Sequence, residues 1–392
     1  MMDGKTDGGS GRVLFMAMNL VPNDARFLKM RDRLVAEGFD VSAIVPRIED
    51  VAAAPGVVVV QPGPLSRLVS ALRNLPMLGT LASAWLARRR KRGLVAGAVQ
   101  ARPDVIIGFD PEAMPAAMEA KAQTGARFIY DAHEYHSAED PSHPERGEWV
   151  ARLESRLGSH LDGFVTVNKS IASLYARDGR ITLPALVVRN SVDPFAAHDG
   201  VDRLRPALGV PADEKVLLYH GAMRPMRGLM DLADLSLVLP SGWTIGIMGE
   251  GAMRAEIEPR ANPDHLRFIP PVPHRDLPLW LPSATLGAVL YEGVGENQIN
   301  CTPNKLWEYA AAGVPILARD LPELAAAVRE TGMGLLVSEG ETATDIAGQL
   351  ENVDAAWLSQ ASRAAHRFAQ GNDWGREVEP LVDLVRDLVE TT

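Results

Sequence analysis

The chain has 392 residues, room for two or three domains, and its composition of 46% hydrophobic and 23% charged residues is that of an ordinary globular protein. A net charge of -10 argues against a nucleic-acid binder held by bulk charge, and a single cysteine, Cys301, excludes an intramolecular disulfide. The polar opening "MMDGKTDGGSGR" is followed by an apolar run too short for a signal peptide or a membrane span, and no Cys/His group has zinc-ligand spacing, so the expectation is a cytoplasmic protein without a metal site.

Short apolar runs then alternate with helical patterns, the mark of a parallel sheet covered by helices. In the first half the predicted strands are Arg12–Met18, Asp40–Val45, Val57–Val60, Asp104–Phe109, Arg127–Ala132, Gly163–Val167 and Ala185–Arg189. Helical patterns lie between most of them, for example over Asp24–Glu37 and Pro111–Ala122. A further helical stretch carries Leu68, Leu72, Leu75, Met77, Leu81 and Trp85 and ends in "LARRRKRG". Its cations, Arg88, Arg89, Arg90, Lys91 and Arg92, leave two readings open: a peripheral contact with anionic lipid at the inner membrane face, or a solvated helix end. After the strand at Arg127 comes "YDAHEYHS", which gathers Asp131, His133, Glu134 and His136 at a strand's carboxyl end, where active-site residues collect. A strand-end histidine satisfied by nearby backbone is the plainer alternative.

The stretch Ser191–Glu214 is rich in Pro, Gly and Asp and divides the chain. The alternation then restarts, with predicted strands at Lys215–His220, Trp243–Met248, Leu266–Pro270, Leu286–Tyr291, Pro315–Ala318 and Gly334–Val337. The pattern predicts an α/β chain of two tandem Rossmann-like, doubly wound domains, residues 1–195 and 196–372. A shared ligand would sit in an inter-domain cleft, outside the strand ends.

Three segments of the second half carry candidate chemistry. In "YHGAMRPMRGL" (Tyr219–Leu229), Gly221 and Gly228 frame Arg224 and Arg227, which suits a phosphate and equally a solvated arginine pair. In "IMGEGAMRAEIE" (Ile247–Glu258), Gly249-Glu250-Gly251 imitates a dinucleotide fingerprint, but Arg254 fills its last position and no acid ends the next strand. Both facts count against a nicotinamide dinucleotide and leave a tight turn or a base or ribose contact. In "CTPNKLWEYAAAGVP" (Cys301–Pro315), Thr302 reads as the N-cap and Pro303 as the first helical residue, which puts Lys305 in the first turn. The helix dipole disfavours a cation there unless an anion joins it, and Glu308 follows one turn later on the same face. Cys301 itself reads as a small buried residue rather than a nucleophile.

Together these segments resemble the family-four glycosyltransferases, retaining enzymes of the GT-B fold that use nucleotide sugars. Residues 22–46 are similar to that family's first helix and second strand, "YDAHEYHS" to its "yDaHEl", and "VVRNSVDP" to "vipNGvD". "YHGAMRPMRGL" is similar to "G.l.p.rGl", "MGEGAM" to "GdGp", and "PNKLWEYAAAGVPILA" to "pNKlfEymaaGlPVla", the most specific match. The resemblance implies that Arg224, Arg227 and Lys305 hold the diphosphate of a UDP- or GDP-linked donor, that Glu308 binds the ribose, and that Gly249, Glu250 and Gly251 pass beside the base. It implies that His133 lies near the transferred sugar, and that Gly221, Asn300, Thr302 and Asn304 complete the donor site. It places no glutamate eight residues before Glu308, where the family often has one touching the sugar; Asn300 stands there instead. It also implies a last segment, residues 373–392, packed back on the first domain.

The activity implied is metal-independent hexosyl transfer with retention, using no cofactor beyond the nucleotide sugar as co-substrate. A sugar-nucleotide epimerase and a non-catalytic nucleotide-sugar binding protein remain alternatives. The acceptor, whether a glycan, lipid-linked or small, is expected against loops after Met18, Val45 and Phe109.

Overall fold

The computed structural model describes residues 11–18, 24–46, 56–60, 69, 79–195 and 200–391. The loops following Met18 and Val45, and Leu68, Leu72, Leu75 and Met77, lie outside the described residues. The chain divides into two compact units, one of Met1–Val188 with Val378–Thr392 and one of Arg189–Glu377.

The first unit is built on seven parallel strands: β1 (Arg12–Met16), β2 (Asp40–Pro46), β3 (Val57–Val60), β4 (Val105–Gly108), β5 (Arg127–Ala132), β6 (Gly163–Thr166) and β7 (Leu186–Val187). Their order is β3-β2-β1-β4-β5-β6-β7, and every pair is parallel. Helices α1 (Ala25–Ala36), α2 (Gly79–Ala101), α3 (Met114–Thr124), α4 (Pro144–Leu157) and α5 (Lys169–Asp178) belong to it. Strands β1 and β4 are buried almost throughout, as expected where a parallel sheet is covered on both faces. Asp24 caps α1 by accepting from the Phe27 N–H at 3.0 Å, and Asn168 caps α5 through Ile171 at 2.7 Å. Arg26, in the first turn of α1, meets Asp131 at the end of β5 through two contacts of 2.8 and 2.9 Å. The same guanidinium donates to the Val188 carbonyl at 2.9 Å, tying α1 to β5 and to the end of the unit.

The second unit repeats the plan with six parallel strands: β8 (Lys215–His220), β9 (Trp243–Met248), β10 (Leu266–Ile269), β11 (Leu286–Val289), β12 (Ile316–Arg319) and β13 (Gly334–Val337), in the order β10-β9-β8-β11-β12-β13. Its helices are α6 (Leu204–Leu208), α7 (Leu229–Leu235), α8 (Arg254–Ile257), α9 (Leu277–Trp280), α10 (Glu296–Asn300), α11 (Asn304–Ala311), α12 (Pro322–Thr331), α13 (Ala343–Glu351) and α14 (Ala355–Gly371). Two apolar clusters cover the two faces of this sheet, one around Leu218, Tyr309 and Leu324, the other around Leu217, Trp243 and Leu350. Helix α15 (Trp374–Glu390) starts in the second unit and continues in the first, where Arg33 meets its Glu379 and Arg386 reaches Glu37 at 3.2 Å.

Two local expectations shift. The strand expected over Ala185–Arg189 shortens to Leu186–Val187, an edge position with a single neighbour. The helix of the "PNKLWEY" segment starts one residue later than its capping chemistry predicts. Pro303, with extended backbone, holds the N-cap position, no side chain caps it, and Thr302 stands outside.

Candidate functional site

Strand order in the second unit reverses between β8 and β11, and open α/β sheets bind ligands outside the strand ends at such a reversal. At the end of β8 the chain turns at Gly221, whose φ of +107° is open to glycine and strained for other residues. The loop after β8 and the loop after β9 lie backbone against backbone. The Gly221 N–H donates to the Met248 carbonyl at 2.9 Å and the Met223 N–H to that of Glu250 at 2.8 Å. A Cβ on Gly249 would stand 2.0 Å from the Gly221 oxygen, and one on Gly251 would stand 2.4 Å from the Met223 oxygen. The Gly-Glu-Gly sequence is therefore what lets these two loops meet.

Lys305, the second residue of α11, points into that corner. Its amine lies 4.7 Å from the ring centre of Tyr219, 5.4 Å from that of Tyr291 and 3.5 Å from the Tyr291 hydroxyl. A Cβ placed on Gly221 would sit 3.5 Å from Nζ. The residue is 9% exposed and makes no ion pair among the described residues. The Arg227 guanidinium stacks on the other ring contact of the site, 4.2 Å from the Tyr291 centre. Burial, with Arg227 adding to it, pulls the Lys305 amine down from 10.5 to about 8 against the opposing pull of Glu308. Burial also pushes the Tyr219 hydroxyl up to about 12, with Arg227 and Arg224 acting in the other direction. Two cations thus share an aromatic corner, and neither makes an ion pair among the described residues.

One turn along α11, Glu308 is buried between two histidines. His274 donates to Oε1 at 3.0 Å, and His220 Nε2 stands 3.3 Å from Oε2 without hydrogen-bond alignment. Burial pushes the Glu308 carboxyl up, but the hydrogen bond from His274 and the neighbouring His220 and Lys305 outweigh it and hold it low. His220 is driven down to about 4, first by burial, with Lys305 and His274 outdoing nothing but adding to it while Glu308 pulls back. At neutral pH the site therefore sets a carboxylate between a buried neutral imidazole facing one oxygen and an exposed imidazole on the other.

The structure brings Gly221, Arg227, Gly249, Gly251, Lys305 and Glu308 together at this corner. Arg224 and Glu250 lie on the same two loops and are exposed. Asn300 ends α10 and donates to the Glu296 carbonyl at 2.8 Å, while Thr302 and Asn304 flank the uncapped start of α11. His133 belongs to the first unit. It follows β5, its ring lies 6.2 Å from that of Phe109 at the end of β4 and 5.1 Å from that of His136, and its Nδ1 is buried without a hydrogen-bond partner. His136 in turn meets Glu139 at 3.1 Å, and Arg146 joins Glu139 at 2.9 Å and Glu112 at 3.0 Å.

Sequence reasoning missed four members of the corner: Tyr219, His220, His274 and Tyr291. Tyr219 and His220 close β8, and Tyr291 follows β11, the two strands at the reversal. Position at the carboxyl end of those strands was the available signal. His274 lies in a short 3-10 turn and has no such marker.

Residues 24–191 match the glycosyl transferase 4-like domain family, and residues 214–353 match glycosyl transferases group 1. Over 221 residues the chain is 28% identical to a D-inositol 3-phosphate glycosyltransferase of Jonesia denitrificans, covering 52% of this chain and 50% of that one. Over 268 residues it is 26% identical to the protein of that name from Kineococcus radiotolerans, covering 62% and 59%. The chain thus spans about half the length of the curated relatives it matches. Among solved structures it is similar to Anabaena HepE in complex with UDP and glucose, at 16% identity and a TM-score of 0.73 over 96% of this chain and 100% of that one. Sucrose-phosphate synthase from Thermosynechococcus elongatus gives a TM-score of 0.77 at 15% identity over 97% and 100%. With both domain families matched in order along more than three quarters of its length, the chain belongs to the family-four glycosyltransferases of GT-B fold.

Proposed function

We propose that the protein transfers a sugar from a UDP- or GDP-linked donor to an acceptor hydroxyl, with retention of anomeric configuration and without a metal ion. The observation that carries this reading is Lys305, a buried cation beside Arg227 with aromatic rings around it and no close ion pair among the described residues. Burying a charge is costly unless an opposite charge meets it, and a diphosphate is an anion of the right size and valence to do so. As the bond from the anomeric carbon to the phosphate oxygen breaks, its electron pair moves onto the diphosphate. Lys305, Arg227 and the uncapped start of α11 meet that charge where it develops. The departing phosphate takes the proton of the acceptor hydroxyl on the same face, which preserves configuration.

Glu308, held as a carboxylate, accepts from the ribose hydroxyls, and the turn at Gly249, Glu250 and Gly251 faces the base. Asn300, Thr302 and Asn304 line the sugar end, and His133 of the first unit serves the transferred sugar. The UDP and glucose in the HepE complex make a UDP-hexose the first donor to try, and the names of the curated relatives make inositol 3-phosphate the first acceptor. The test is a panel of nucleotide sugars and acceptors with products read by NMR. The reading expects nucleoside diphosphate released in step with a product of unchanged anomeric configuration. It expects a loss of about a hundredfold or more in Lys305→Ala and Arg227→Ala. Unchanged rates in both variants overturn the site. Nucleotide binding without transfer to any acceptor in the panel overturns the activity.

A further inference from the structure

Helix α2 carries a face that the proposed transfer does not use. Residues 51–103 contain eight Lys or Arg and no Asp or Glu, within a chain whose net charge is -10. Five of those cations, Arg88 to Arg92, lie on α2. The rotation of the helix is fixed by two glycines pressed onto the sheet. A Cβ on Gly93 would stand 2.3 Å from Val60, and one on Gly97 would stand 2.1 Å from Ile44. Ala82, Leu86, Leu94 and Ala98 are buried on that side.

The opposite side follows from helical geometry. Leu81, Trp85, Arg88, Arg92 and Val99 recur at steps of four, three, four and seven residues and so fall on one stripe. All five are exposed, Leu81 at 69%, Trp85 and Val99 at 37% each. The Arg89 guanidinium lies 5.4 Å from the Trp85 ring centre, beside the stripe. Among the described residues only Lys91 of the five cations meets a carboxylate, Glu119, at 2.6 Å. The stripe is about 27 Å long at 1.5 Å per residue, with apolar side chains at its ends and unpaired arginines in its middle.

We infer that this face of α2 docks on an anionic lipid surface. Unpaired cations along one side of a helix, with Leu and Trp beside them, match the headgroup and acyl boundary of a leaflet. A flat anionic surface engages the whole stripe at once, whereas a nucleic acid would leave Leu81 and Val99 in water. No described helix is long and apolar enough to cross a membrane, so the contact is peripheral as far as these residues go. The inference is independent of the transferase reading, because its residues lie outside the donor corner.

The test is co-sedimentation of the full chain with vesicles of phosphatidylcholine alone and of phosphatidylcholine mixed with phosphatidylserine. The expected result is binding to the mixed vesicles only, weakening as salt rises. Each arginine near an anionic surface accounts for about a fivefold gain, so Arg88→Glu with Arg92→Glu lowers binding by more than about twentyfold. Leu81→Ser weakens binding while leaving its salt dependence. These side chains are exposed, and circular dichroism and melting temperature check that the variants fold. Three results overturn the inference: no binding to the mixed vesicles at low salt, binding unchanged by the double charge reversal, or equal binding to both vesicle types. So does a lipid-free dimer that Leu81→Ser dissolves and that ignores vesicles, which would make the face a contact between copies.

Discussion

Replacing Lys305 by methionine separates stability from binding at the proposed donor corner. The amine is held at about 8 rather than 10.5, and each pKa unit corresponds to about 1.4 kcal/mol, so keeping it charged costs the fold up to about 3 kcal/mol. Methionine fills a similar volume without charge, but it gives up the contacts with the Tyr219 and Tyr291 rings, worth about 0.5–2 kcal/mol. The net expectation is a stabilisation of about 1–3 kcal/mol near neutral pH. For a unit the size of Arg189–Glu377, each kcal/mol moves the melting temperature by about 2–4 °C.

The pH dependence fixes the cause. Below pH 8 both folded and unfolded chains carry the proton, and the folded chain bears the whole cost. Between 8 and 10.5 the folded lysine has lost its proton and the cost shrinks, so the advantage of Lys305→Met fades over that interval. The assay is thermal unfolding of wild type and variant across pH, each with and without UDP. Wild type should gain stability from UDP, by about 2.7 kcal/mol at a hundred times Kd, and the variant should gain far less. A variant less stable than wild type by an amount independent of pH, and stabilised equally by UDP, refutes the reasoning.

Gly249→Ala should destabilise the second unit by about 2–4 kcal/mol in urea unfolding, because its Cβ would fall 2.0 Å from a backbone oxygen that cannot swing aside. A loss under 1 kcal/mol, roughly that of an ordinary surface change, would mean that the two loops are not locked together. His274→Ala removes the hydrogen bond that helps hold the Glu308 carboxyl low, so that carboxyl rises toward its usual range. UDP affinity, which needs the carboxylate on the proposed reading, should then fail at a higher pH on the acid side than in wild type. Titration calorimetry across acidic pH checks it, and an acid limb that stays in place counts against the pairing.

Much of the fold was legible because parallel strands buried on both faces write themselves as apolar runs. Lys215–His220, Trp243–Met248 and Gly334–Val337 stand where the runs place them. Strand β7 was overextended, since Val188 continues the apolar run while the ladder with β6 registers Leu186 and Val187, with one further bond from the Val188 N–H to the Thr166 carbonyl at 2.8 Å. The cap of α11 was misplaced for a related reason. Thr302 has the right hydroxyl, but Pro303 adopts extended backbone and takes the N-cap position itself. At the site, Lys305 drew notice because it breaks a helix-dipole rule, and rule-breaking residues mark function more sharply than conforming ones. The tyrosines that cradle it conform to strand propensity and so carried no signal until the sheet order showed them beside the reversal.

The central claim is that Arg227 and Lys305 together form the diphosphate half of a donor site. Titration calorimetry of UDP and GDP against wild type, Arg227→Ala and Lys305→Ala tests it most directly. Each lost charge-assisted contact to phosphate corresponds to about 1.5–3 kcal/mol, so one of the two nucleotides should bind wild type and bind each variant about tenfold to a hundredfold more weakly. Equal affinity in all three proteins would contradict the account.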